Sequence, residues 1–396
     1  MISINQAFEA IMNTERTFGE EKIYLEKASG RILAEQIIAT SDLPPFNRVM
    51  MDGVAVKADT VKVNTSFPVG KIIAAGNTDP LIDMPCEIMT GAVMPSTLDT
   101  VIPYEHIKLE SGICTILQDF KKGQNVHLRS SDSKEGDILI SAHTKLCAAE
   151  IGVAASMGYS TVRVFQKPRV VILTSGDELV EVGVLPNSAQ IRASNGFAIS
   201  SAITPFSEVI EIKIVSDKIE LLFNSITHAL EKCDILIITG GVSAGKYDYI
   251  PEVLKSLAAE ILFHKIAQKP GKPMLFATRG NQVIFGLPGN PVSCLMCTHA
   301  YIIPWIKKNT KYNTGTIWNK LPLAEDYYKK GGLTFFLPVR LSISEGAVVA
   351  HPVKNNGSGD FASLVDVHGW FVIPEEMNEV KKGFKGHFIP LKPLEL

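Results

Sequence analysis

Hydrophobic positions near the start of the chain recur at helical spacing, and this spacing returns further along the sequence. The apolar residues that set the first pattern are Ile4, Ala7, Ile11 and Met12. Apolar residues at this spacing share one face of a helix, so the pattern predicts helix over residues 1–40. Residues 127–167 return to helix, with a small-residue helix over Ala148–Met157. We therefore predict a helical N-terminal domain assembled from residues 1–40 and 127–167.

Residues 41–126 separate these two segments and show short alternating runs divided by glycine and proline. The clearest runs are Lys71–Ala75, Asp99–Glu105 and Ile113–Leu117. Alternation with a period of two is typical of strands that bury one face. The segment is predicted to be a small β domain inserted into the helical domain.

Two loops of this inserted segment are candidates for function. Pro44-Pro45 excludes regular helix ahead of Asp52, where a turn is predicted. Asp52 is therefore either a site residue at the tip of a long loop or part of an ordinary crossover into the next domain. Thr90 and Gly91 either present a hydroxyl group and free amides to an anion or form a simple turn.

From residue 168 onwards strands and helices alternate, which is typical of a mostly parallel sheet with helices on both faces. The predicted elements are strands Arg169–Thr174 and Asp234–Thr239, the amphipathic helix Lys218–Lys232, a hairpin of Met274–Thr278 with Gln282–Phe285, and a helix over Val292–Trp305. Residues 168–310 are predicted to form a three-layer α/β domain. Residues 318–396 return to short alternating runs between Gly- and Pro-rich turns, which predicts a small barrel-like β domain.

Composition is that of a soluble globular protein and narrows the range of partners. Hydrophobic residues make up 46% of the chain and charged residues 20%, with a net charge of −2. A charge this small gives no global attraction to nucleic acid or to an anionic membrane. The N-terminus lacks the apolar core of a signal peptide, and no apolar run reaches the ~20 residues of a membrane span. We expect a cytoplasmic protein that binds neither nucleic acid nor membrane.

Cysteine usage does not indicate a metal or disulfide framework. Six cysteines are scattered along the chain, and disulfides are uncommon in a cytosolic protein of this length. Cys294 and Cys297 have the spacing of a metal-binding or redox pair. The sequence offers no second pair and no nearby histidine cluster, so the pattern favours two thiols in a buried helix.

The most informative stretch is Asp234–Asp248, in which a buried strand runs into a glycine-rich turn. A parallel strand that ends in such a turn exposes backbone amides at the carboxyl edge of the sheet, where ligands of open α/β sheets bind. Phosphate groups favour amide clusters of this kind. An ordinary strand-to-helix connection is the alternative for this stretch taken alone. The turn residues concerned are Gly240, Gly241, Ser243 and Gly245.

Three further loops are predicted to meet the same edge of the sheet, and they are Ser175–Glu178, Lys269–Lys272 and Pro288–Ser293. Their glycines permit close approach of a phosphate or a flat heterocycle. Lysines add positive charge, and carboxylates supply the oxygen ligands that Mg²⁺ shares with substrate phosphates. The residues are Lys265, Lys269, Lys272, Asp177, Glu178 and Asp248. A single lysine of this set is best interpreted as a solvated surface charge. The loops considered together indicate phosphate transfer or phosphoanhydride cleavage.

Several common sites are excluded by residue order. Gly240–Gly245 lacks the GxxxxGK[ST] order of a P-loop, and no GxGxxG opens a dinucleotide-binding fold. Ser175 and Ser243 lack the GxSxG setting of a hydrolase nucleophile.

In combination, six motifs resemble those of the molybdopterin molybdenumtransferase family, which includes the C-terminal domain of gephyrin and the bacterial molybdenum-insertion enzymes. The motifs are TGGVSAGKYD, KPGKP, LPGNPVS, TSGDEL, MTGAVMP and PPF…MDG. They follow the family's order and spacing over essentially the whole chain. TGG…D and LPGNP alone would also fit related molybdopterin-binding domains.

The resemblance implies a function and an assembly. It implies an elongated homodimer of four-domain subunits, with the active site between the α/β domain of one subunit and the inserted β domain of the other. The implied substrates are adenylylated molybdopterin and molybdate. Cleavage of the phosphoanhydride with a divalent cation, Mg²⁺, releases AMP and leaves molybdenum on the dithiolene. The molybdopterin adenylyltransferase is an implied partner.

The resemblance also implies site residues. The implied reaction residues are Asp52, Thr90, Asp132, Glu178, Asp248, Lys265 and Lys269. The implied cofactor-binding residues are Ser175, Gly176, Asp177, Ser194, Asn195, Asp217, Gly240, Gly241, Ser243, Gly245, Lys272, Pro288, Gly289, Asn290, Pro291 and Ser293. Glu178 and Asp248 are the implied metal ligands.

The chain departs from the family's pattern in three places. Asn47-Arg-Val-Met50 replaces the Asp-Asn-Ser-Ala of many bacterial members. The Asp-Gly pair is retained as Asp52-Gly53, so Asp52 is kept as a site residue and Asn47 is not. Ala193 stands where the family usually has aspartate, so one ligand contact is either lost or supplied by Arg192. Lys246-Tyr247 replaces a commoner acidic residue, which changes the charge expected at the phosphate.

Two other functions fit parts of the pattern. A protein that holds molybdopterin without catalysis, or that acts as a scaffold, would not need Asp52, Thr90 and Asp132, which this chain retains. The adenylylation that precedes insertion belongs to stand-alone α/β domains, whereas this chain has additional domains.

Overall fold

The computed structural model describes residues 1–77, 82–242, 248–312, 319–344 and 346–392. The chain divides into two compact units. The large unit contains Met1–Glu21, Gly30–Ile32 and Arg163–Leu396, and the small unit contains Lys22–Ser29 and Leu33–Val162. None of the helices in the described ranges is long and apolar enough to cross a membrane.

Seven α-helices occur in the described ranges. They are α1 (Ile4–Met12), α2 (Ala148–Ser156), α3 (Asn195–Ile203), α4 (Ile219–Leu230), α5 (Ile250–Ser256), α6 (Pro291–Cys297) and α7 (Ile303–Asn309). A π-helical turn over Thr298–Ile302 joins α6 to α7. The helix predicted over Val292–Trp305 is therefore confirmed, and the helical segment continues to Asn309.

The strands fall into three groups along the chain. The first group is β1 (Glu20–Tyr24), β2 (Ile37–Ile38), β3 (Arg48–Val49), β4 (Gly53–Val56), β5 (Ser66–Pro68), β6 (Gly70–Ile73), β7 (Cys86–Ile88), β8 (Thr100–Pro103), β9 (Ile107–Glu110), β10 (Ile113–Ile116), β11 (Val126–His127), β12 (Ile138–Ile140) and β13 (Thr161–Phe165). The second is β14 (Arg169–Ser175), β15 (Leu179–Val180), β16 (Ile191–Arg192), β17 (Glu208–Val215), β18 (Ile235–Thr239), β19 (Glu260–His264), β20 (Gln268–Lys269), β21 (Leu275–Arg279) and β22 (Gln282–Leu287). The third is β23 (Asn319–Pro322), β24 (Tyr327–Tyr328), β25 (Thr334–Ser344), β26 (Ala347–Pro352), β27 (Gly369–Ile373), β28 (Glu379–Val380) and β29 (Lys385–Pro390).

A six-stranded sheet forms the centre of the large unit, in the order β17-β14-β18-β22-β21-β19. The first four of these strands are parallel, and β21 pairs with β22 in the antiparallel hairpin that the sequence predicts. Ile172 and Ile237 belong to one hydrophobic core, whereas the adjacent Leu173 and Ile238 belong to another. Because successive residues of a strand point to opposite faces, the sheet has a core on each side. This arrangement confirms the three-layer α/β architecture.

The C-terminal strands of the large unit close around a core of their own. β25 pairs with both β26 and β27, β27 pairs with β29, and β29 pairs with β23. The backbone amide of Ala324 donates to the carbonyl of Ala350 at 2.8 Å, which joins the chain after β23 to β26. Phe371 and Phe388 lie in the enclosed core. The barrel-like prediction is therefore confirmed, and β20 extends the same sheet by parallel pairing with β25.

The small unit contains the alternating runs that the sequence predicts as strands. A four-stranded sheet has the order β6-β7-β4-β8, and a three-stranded sheet has the order β5-β10-β9. Val54 and the adjacent Ala55 belong to two different hydrophobic cores, one on each side of β4. The runs predicted in this segment are confirmed as β6, β8 and β10.

The prediction of helix over residues 1–40 and 127–167 is correct for α1 and α2 and wrong for the rest of these segments. Ser3 and Gln6 form a capping box at the start of α1, and Asn13 caps its other end. Glu20–Tyr24 then alternates between exposed and half-buried residues and forms β1. Ile37 pairs with Ile140 in a further strand pair. Pairing between distant segments overrides the weak helical spacing, because local propensity is only a small term.

The first helix packs within the large unit rather than with residues 127–162. The indole Nε1 of Trp305 donates to the carbonyl of Thr14 at 2.7 Å, and Lys308 Nζ donates to the carbonyl of Met12 at 2.8 Å. The predicted N-terminal domain and the compact units therefore differ over residues 1–21.

The CxxC pair lies in α6 and is buried, as the sequence favours. Burial raises the pKa of the Cys297 thiol to about 12 and also raises that of Cys294. Thiols this hard to ionise are poor metal ligands and poor nucleophiles, because the thiolate is the reactive form.

Candidate active site

Four parallel strands end side by side at one edge of the large sheet. The register pairs Ser175 with Val215, Thr174 with Thr239, and Thr239 with Leu287. The loops that follow these strands begin at Gly176, Ser216, Gly240 and Pro288. Since the strands run in the same direction, these loops emerge together at the carboxyl edge, where ligands of open α/β sheets bind.

Gly240 is packed so closely that no side chain would fit. Its φ is +86°, and a Cβ at this position would lie 2.3 Å from the carbonyl oxygen of Ser175. Its amide donates to the carbonyl of Leu287 at 3.1 Å. Gly241 follows with a φ of +62°, and a Cβ there would lie 2.9 Å from Ile250. The glycine pair therefore connects the ends of β14 and β22 by direct backbone contact.

The turn before α6 contacts this glycine pair. Asn195 Nδ2 donates to the carbonyl of Gly289 at 2.7 Å, and a Cβ on Gly289 would lie 3.6 Å from the Cα of Gly240. Ser194 precedes α3 as its N-cap residue, and Pro288 leads from β22 into the turn. Within the same turn, Asn290 is the N-cap of α6, Pro291 is its first residue and Ser293 is buried.

Two serines hold the carboxylates at the ends of β14 and β17. Ser175 Oγ donates to Asp217 Oδ1, and Ser216 Oγ donates to Asp177 Oδ1 at 2.6 Å. The Ser216 hydroxyl, together with the backbone amide of Asp217, lowers the pKa of the Asp177 carboxyl. Glu178 folds back over Gly176, because a Cβ on that glycine would lie 2.7 Å from each Glu178 carboxylate oxygen.

A cavity of about 610 Å³ opens beside these carboxylates. Its lining combines carboxylates, an ammonium group and apolar or aromatic side chains, namely Asp177, Asp217, Lys218, Ile219, Glu220, Leu221 and Tyr249. Carboxylates accept hydrogen bonds from N–H groups, and the apolar wall suits a flat ring. The cavity therefore has the polarity needed to hold a nitrogen heterocycle.

The three predicted lysines follow β19 in the chain, and the backbone of Lys265 lies close to that of Lys272. His264 Nε2 donates to the carbonyl of Val242 at 2.6 Å, so the end of β19, followed by Lys265, lies beside the glycine pair. Lys269 ends β20, where it pairs with Phe335 of β25. The carbonyl of Lys272 accepts the amide of Ile266 at 2.9 Å.

Gly271 differs from the other predicted glycines in its surroundings. Its φ is +90°, and a Cβ there would lie 2.7 Å from Cys297 Sγ and 2.9 Å from Met296 Cε, at the far end of α6. The prediction that all the glycine loops meet at one point therefore needs correction. Residues 176, 240, 241 and 289 lie together, whereas Gly271 packs on the other end of the helix that follows Gly289. The sequence alone does not show which end of α6 a distant loop contacts, and this is why the prediction failed for Gly271.

Asp52 and Thr90 form a direct contact in the small unit. Asp52 Oδ1 accepts both the backbone amide and the hydroxyl of Thr90, each at 2.7 Å. These bonds lower the pKa of the Asp52 carboxyl, the backbone amide having the larger effect. Of the two interpretations of Thr90 and Gly91, the structure therefore shows a turn whose donors bind Asp52. Asp132 Oδ1 lies 2.8 Å from His127 Nε2 in the same unit.

Comparison with known proteins identifies the family. Three family models match the chain, namely "MoeA N-terminal region (domain I and II)" at residues 2–158, "Probable molybdopterin binding domain" at 171–308 and "MoeA C-terminal region (domain IV)" at 320–391. A relative from Synechocystis sp. named molybdopterin molybdenumtransferase is 36% identical, over 97% of this chain and 98% of its own. The chain belongs to the molybdopterin molybdenumtransferase family.

Further members of the molybdopterin molybdenumtransferase family and a solved structure agree with this assignment. A relative of the same name from Staphylococcus epidermidis is 32% identical, over 96% of this chain and 94% of its own. The crystal structure of the molybdopterin biosynthesis moea protein from Pyrococcus horikosii has a TM-score of 0.81 and 28% identity, and it covers 100% of both chains. The resemblance predicted from the motifs is confirmed over the full chain.

The places where this molybdenumtransferase-family chain departs from the usual pattern have structural roles of their own. Asn47 Oδ1 accepts the backbone amide of Arg129 at 2.9 Å. Ala193 is buried, and its amide donates to the carbonyl of Val180 at 2.9 Å. Arg192 Nε donates to the carbonyl of Val184 at 3.1 Å, so that side chain stabilises a neighbouring loop.

Some predicted residues of this family member lie outside the described ranges or at their boundary. Ser243, Gly245 and the Lys246-Tyr247 pair are outside the described residues. Asp248 is half-buried and comes directly before Tyr249, the N-cap residue of α5.

The Mg²⁺ that the motif resemblance implies needs a set of oxygen donors. In the described ranges, no group of three or more His, Cys, Asp or Glu side chains is arranged to hold a metal ion. Mg²⁺ commonly uses one or two carboxylates and completes its shell with water and substrate phosphates. Glu178 fits such a partial site, because both of its oxygens lie over Gly176 at the end of a strand. Asp248 is the second candidate ligand.

Three residues that shape these sites were not predicted from the sequence. Ser216 follows β17, a strand that the sequence prediction omitted. His264 is the last residue of β19, and His127 lies on β11 in a segment predicted as helix. The alternating sequence of β17 would have located Ser216 directly after a strand, whereas no local pattern identifies His264 or His127 as a site residue.

Proposed function

We propose that the chain transfers molybdenum from molybdate to adenylylated molybdopterin, with Mg²⁺-assisted cleavage of the phosphoanhydride and release of AMP. The observation that supports this proposal best is the meeting of four strand-end loops at one edge of the large sheet. This edge combines glycine amides, held carboxylates and a lysine, which is the combination that phosphate chemistry requires. The enzyme that adenylylates molybdopterin is the proposed upstream partner, since its product is this substrate.

The residues have distinct proposed roles. The Gly240-Gly241 turn is proposed to lie against a phosphate or the molybdate dianion, because glycine permits close approach of the backbone, and Lys265 adds charge beside it. Asp177 and Asp217 line the adjacent cavity and accept hydrogen bonds from pterin N–H groups. Glu178 and Asp248 would hold Mg²⁺, which would supply positive charge to neutralise the phosphates.

The small unit supplies further proposed reaction residues. Asp52 and Thr90 form one hydrogen-bonded pair, and Asp132 is held by His127. Carboxylates held on one side by donors in the protein keep a fixed orientation toward a substrate, which is the geometric requirement for catalysis by positioning.

The deciding measurement is AMP release by the purified full chain. With adenylylated molybdopterin, molybdate and Mg²⁺, we expect AMP in proportion to the molybdenum cofactor formed, and no AMP when molybdate is left out. Molybdopterin binding without molybdate-dependent AMP release would contradict the transferase and favour a binding protein. AMP release without molybdate would indicate a hydrolase.

We also propose that the active form is a homodimer joined through an apolar face of the large unit. A cavity of about 1030 Å³ lies between α3, the α6–α7 segment and residues near β29. Its walls are mostly apolar, including Ala202, Leu295, Ile303, Leu364 and Ile389. Val365 on its rim is 71% exposed. A second copy of the chain would remove this apolar surface from water, as subunit contacts do.

Light scattering of the eluted protein tests the dimer. The wild-type mass is expected at about twice 43.2 kDa. Val365→Asp places a charge on the proposed contact and is expected to shift the mass toward the monomer. Ile343→Asp is the matched control, because Ile343 is 62% exposed but is outside the cavity lining. A monomeric wild type, or equal dissociation by both variants, would contradict the proposed face.

A further inference from the structure

The loop that carries Asp132 is fastened along the segment that begins at Leu43 in the small unit. The carbonyl of Leu43 accepts the amide of Asp132 at 2.9 Å, and the carbonyl of Pro44 accepts the amide of Ser130 at 3.1 Å. Pairing of β3 with β11 then places Arg48 directly opposite His127. Backbone hydrogen bonds therefore hold the segment with Arg48 against the loop with His127 and Asp132.

The side chains of Arg48, His127 and Asp132 form a chain of two contacts. Arg48 Nη2 lies 3.3 Å from His127 Nδ1, and His127 Nε2 lies 2.8 Å from Asp132 Oδ1. A guanidinium group only donates hydrogen bonds, so Nδ1 must be the acceptor. The proton of the neutral ring is then on Nε2, where it donates to Asp132. The ring links a fixed cation to a carboxylate and is held in one orientation.

The contacts to the Asp132 carboxylate are one-sided. His127 and the hydroxyl of Ser131 both bind Oδ1, at 2.8 Å and 3.3 Å. The Asp132 side chain is 54% exposed, whereas that of His127 is 25% exposed. A carboxylate held through one oxygen presents the other to a ligand. Asp52 shows the same arrangement, because both of its bonds from Thr90 use Oδ1.

The arrangement contributes little to stability. Exposed ion pairs are weak because water and salt screen them and because two side chains must be ordered. Orientation of a reacting group is a different matter, since small displacements of such a group have large effects on rate. The cluster adds little to folding stability, but it fixes the orientation of one carboxylate. This property serves catalysis rather than stability.

We propose that Arg48 and His127 are positioning residues for Asp132 in the proposed molybdenum transfer. Arg48 fixes the tautomer and the rotation of the His127 ring, and the ring fixes Asp132 so that Oδ2 faces the substrate. The inference rests on the proposed function and adds two residues to it. His127 contacts Asp132 directly, and Arg48 acts on Asp132 through the His127 ring. Arg48 belongs to the Asn47–Met50 segment that departs from the usual sequence, which gives that departure a role.

The test compares steady-state AMP release by the full-length variants. Arg48→Met and His127→Ala are each expected to lower kcat by roughly 10- to 100-fold, the range seen when a partner that orients a ligand is removed. KM for molybdate and for adenylylated molybdopterin should stay within about threefold, because no substrate contact is removed. His127→Gln should recover most of kcat, since its amide group donates from nearly the position of Nε2.

Lys122→Met is the matched control, because it removes an exposed cation of the same unit that pairs with Asp59 and Asp99. Its kcat should equal that of wild type. Thermal unfolding of every variant should match wild type within a few degrees, so that a loss of rate is separated from a loss of fold. A kcat loss in Lys122→Met as large as that in Arg48→Met would overturn the inference.

A double-variant comparison separates positioning from a general structural role. Asp132→Asn combined with His127→Ala should have the kcat of Asp132→Asn alone, because His127 acts only through Asp132. Fully additive losses, or wild-type kcat in Arg48→Met and His127→Ala, would overturn the inference while leaving the proposed function intact. Absence of AMP release from the wild type would instead contradict the proposed function itself.

Discussion

Replacement of Gly240 by alanine is expected to lower the free energy of unfolding by about 2–6 kcal/mol. A φ of +86° costs an alanine roughly 1–3 kcal/mol. The new Cβ would also lie 2.3 Å from the carbonyl oxygen of Ser175, and relieving such overpacking costs about 1–3 kcal/mol more. Urea denaturation of the purified variant measures the change. Any folded fraction should also lose affinity for the substrate, because the turn that holds the strand ends together has to move.

Gly183→Ala is the matched control for this prediction. Gly183 lies in the same unit, and a Cβ there would have open space around it. Its effect should stay within about 0.5 kcal/mol, as for other surface substitutions. If Gly240→Ala were as stable as Gly183→Ala, the backbone contact between the glycine turn and β14 would be contradicted.

Asp248→Ala is expected to abolish turnover while the protein remains folded. Asp248 comes directly before Tyr249, the N-cap residue of α5, and is proposed to bind Mg²⁺ together with Glu178. Removing one group that stabilises developing charge lowers kcat by about 100- to 1000-fold or more. AMP release and thermal unfolding should be measured on the same preparation.

Glu252→Ala provides the comparison for Asp248→Ala, because it removes a carboxylate from the first turn of the same helix. It should retain most of the wild-type rate. Wild-type turnover in Asp248→Ala would exclude this residue from the reaction, and equal losses in both variants would point to helix α5 rather than to one ligand.

The strand-end geometry of the large unit was predictable because its determinants are local. A buried apolar run that stops at glycine, such as Asp234–Thr239, predicts a strand and its carboxyl end, although β17 at the same edge was omitted. The contacts between loops were not predictable in the same way. Asp52 and Thr90 are 38 positions apart, and their hydrogen bonds depend on how the small unit folds.

Helix α3 and strand β17 show two different limits of sequence prediction. The α3 sequence, NGFAISSAI, contains glycine and serines that disfavour helix, yet it forms where Gly196 packs closely on Ile212. The β17 sequence, EVIEIKIV, alternates as an edge strand should, although the prediction omitted it. The error over residues 1–40 has a third cause, since Ile37 finds its partner at Ile140, far along the chain.

The short pairing of β20 with β25 bears on how such proteins can be recombined. Gln268 and Lys269 take their backbone partners, Thr334 and Phe335, from the C-terminal sheet. An α/β domain transplanted into another protein without that sheet would leave the ladder beside Lys269 open to water. A fusion that contained the α/β domain alone would keep the glycine turns. It would lose the strand pairing that holds the backbone of Lys269 in place. The position of Lys269 therefore depends on the C-terminal barrel, and the two domains have to be transferred together.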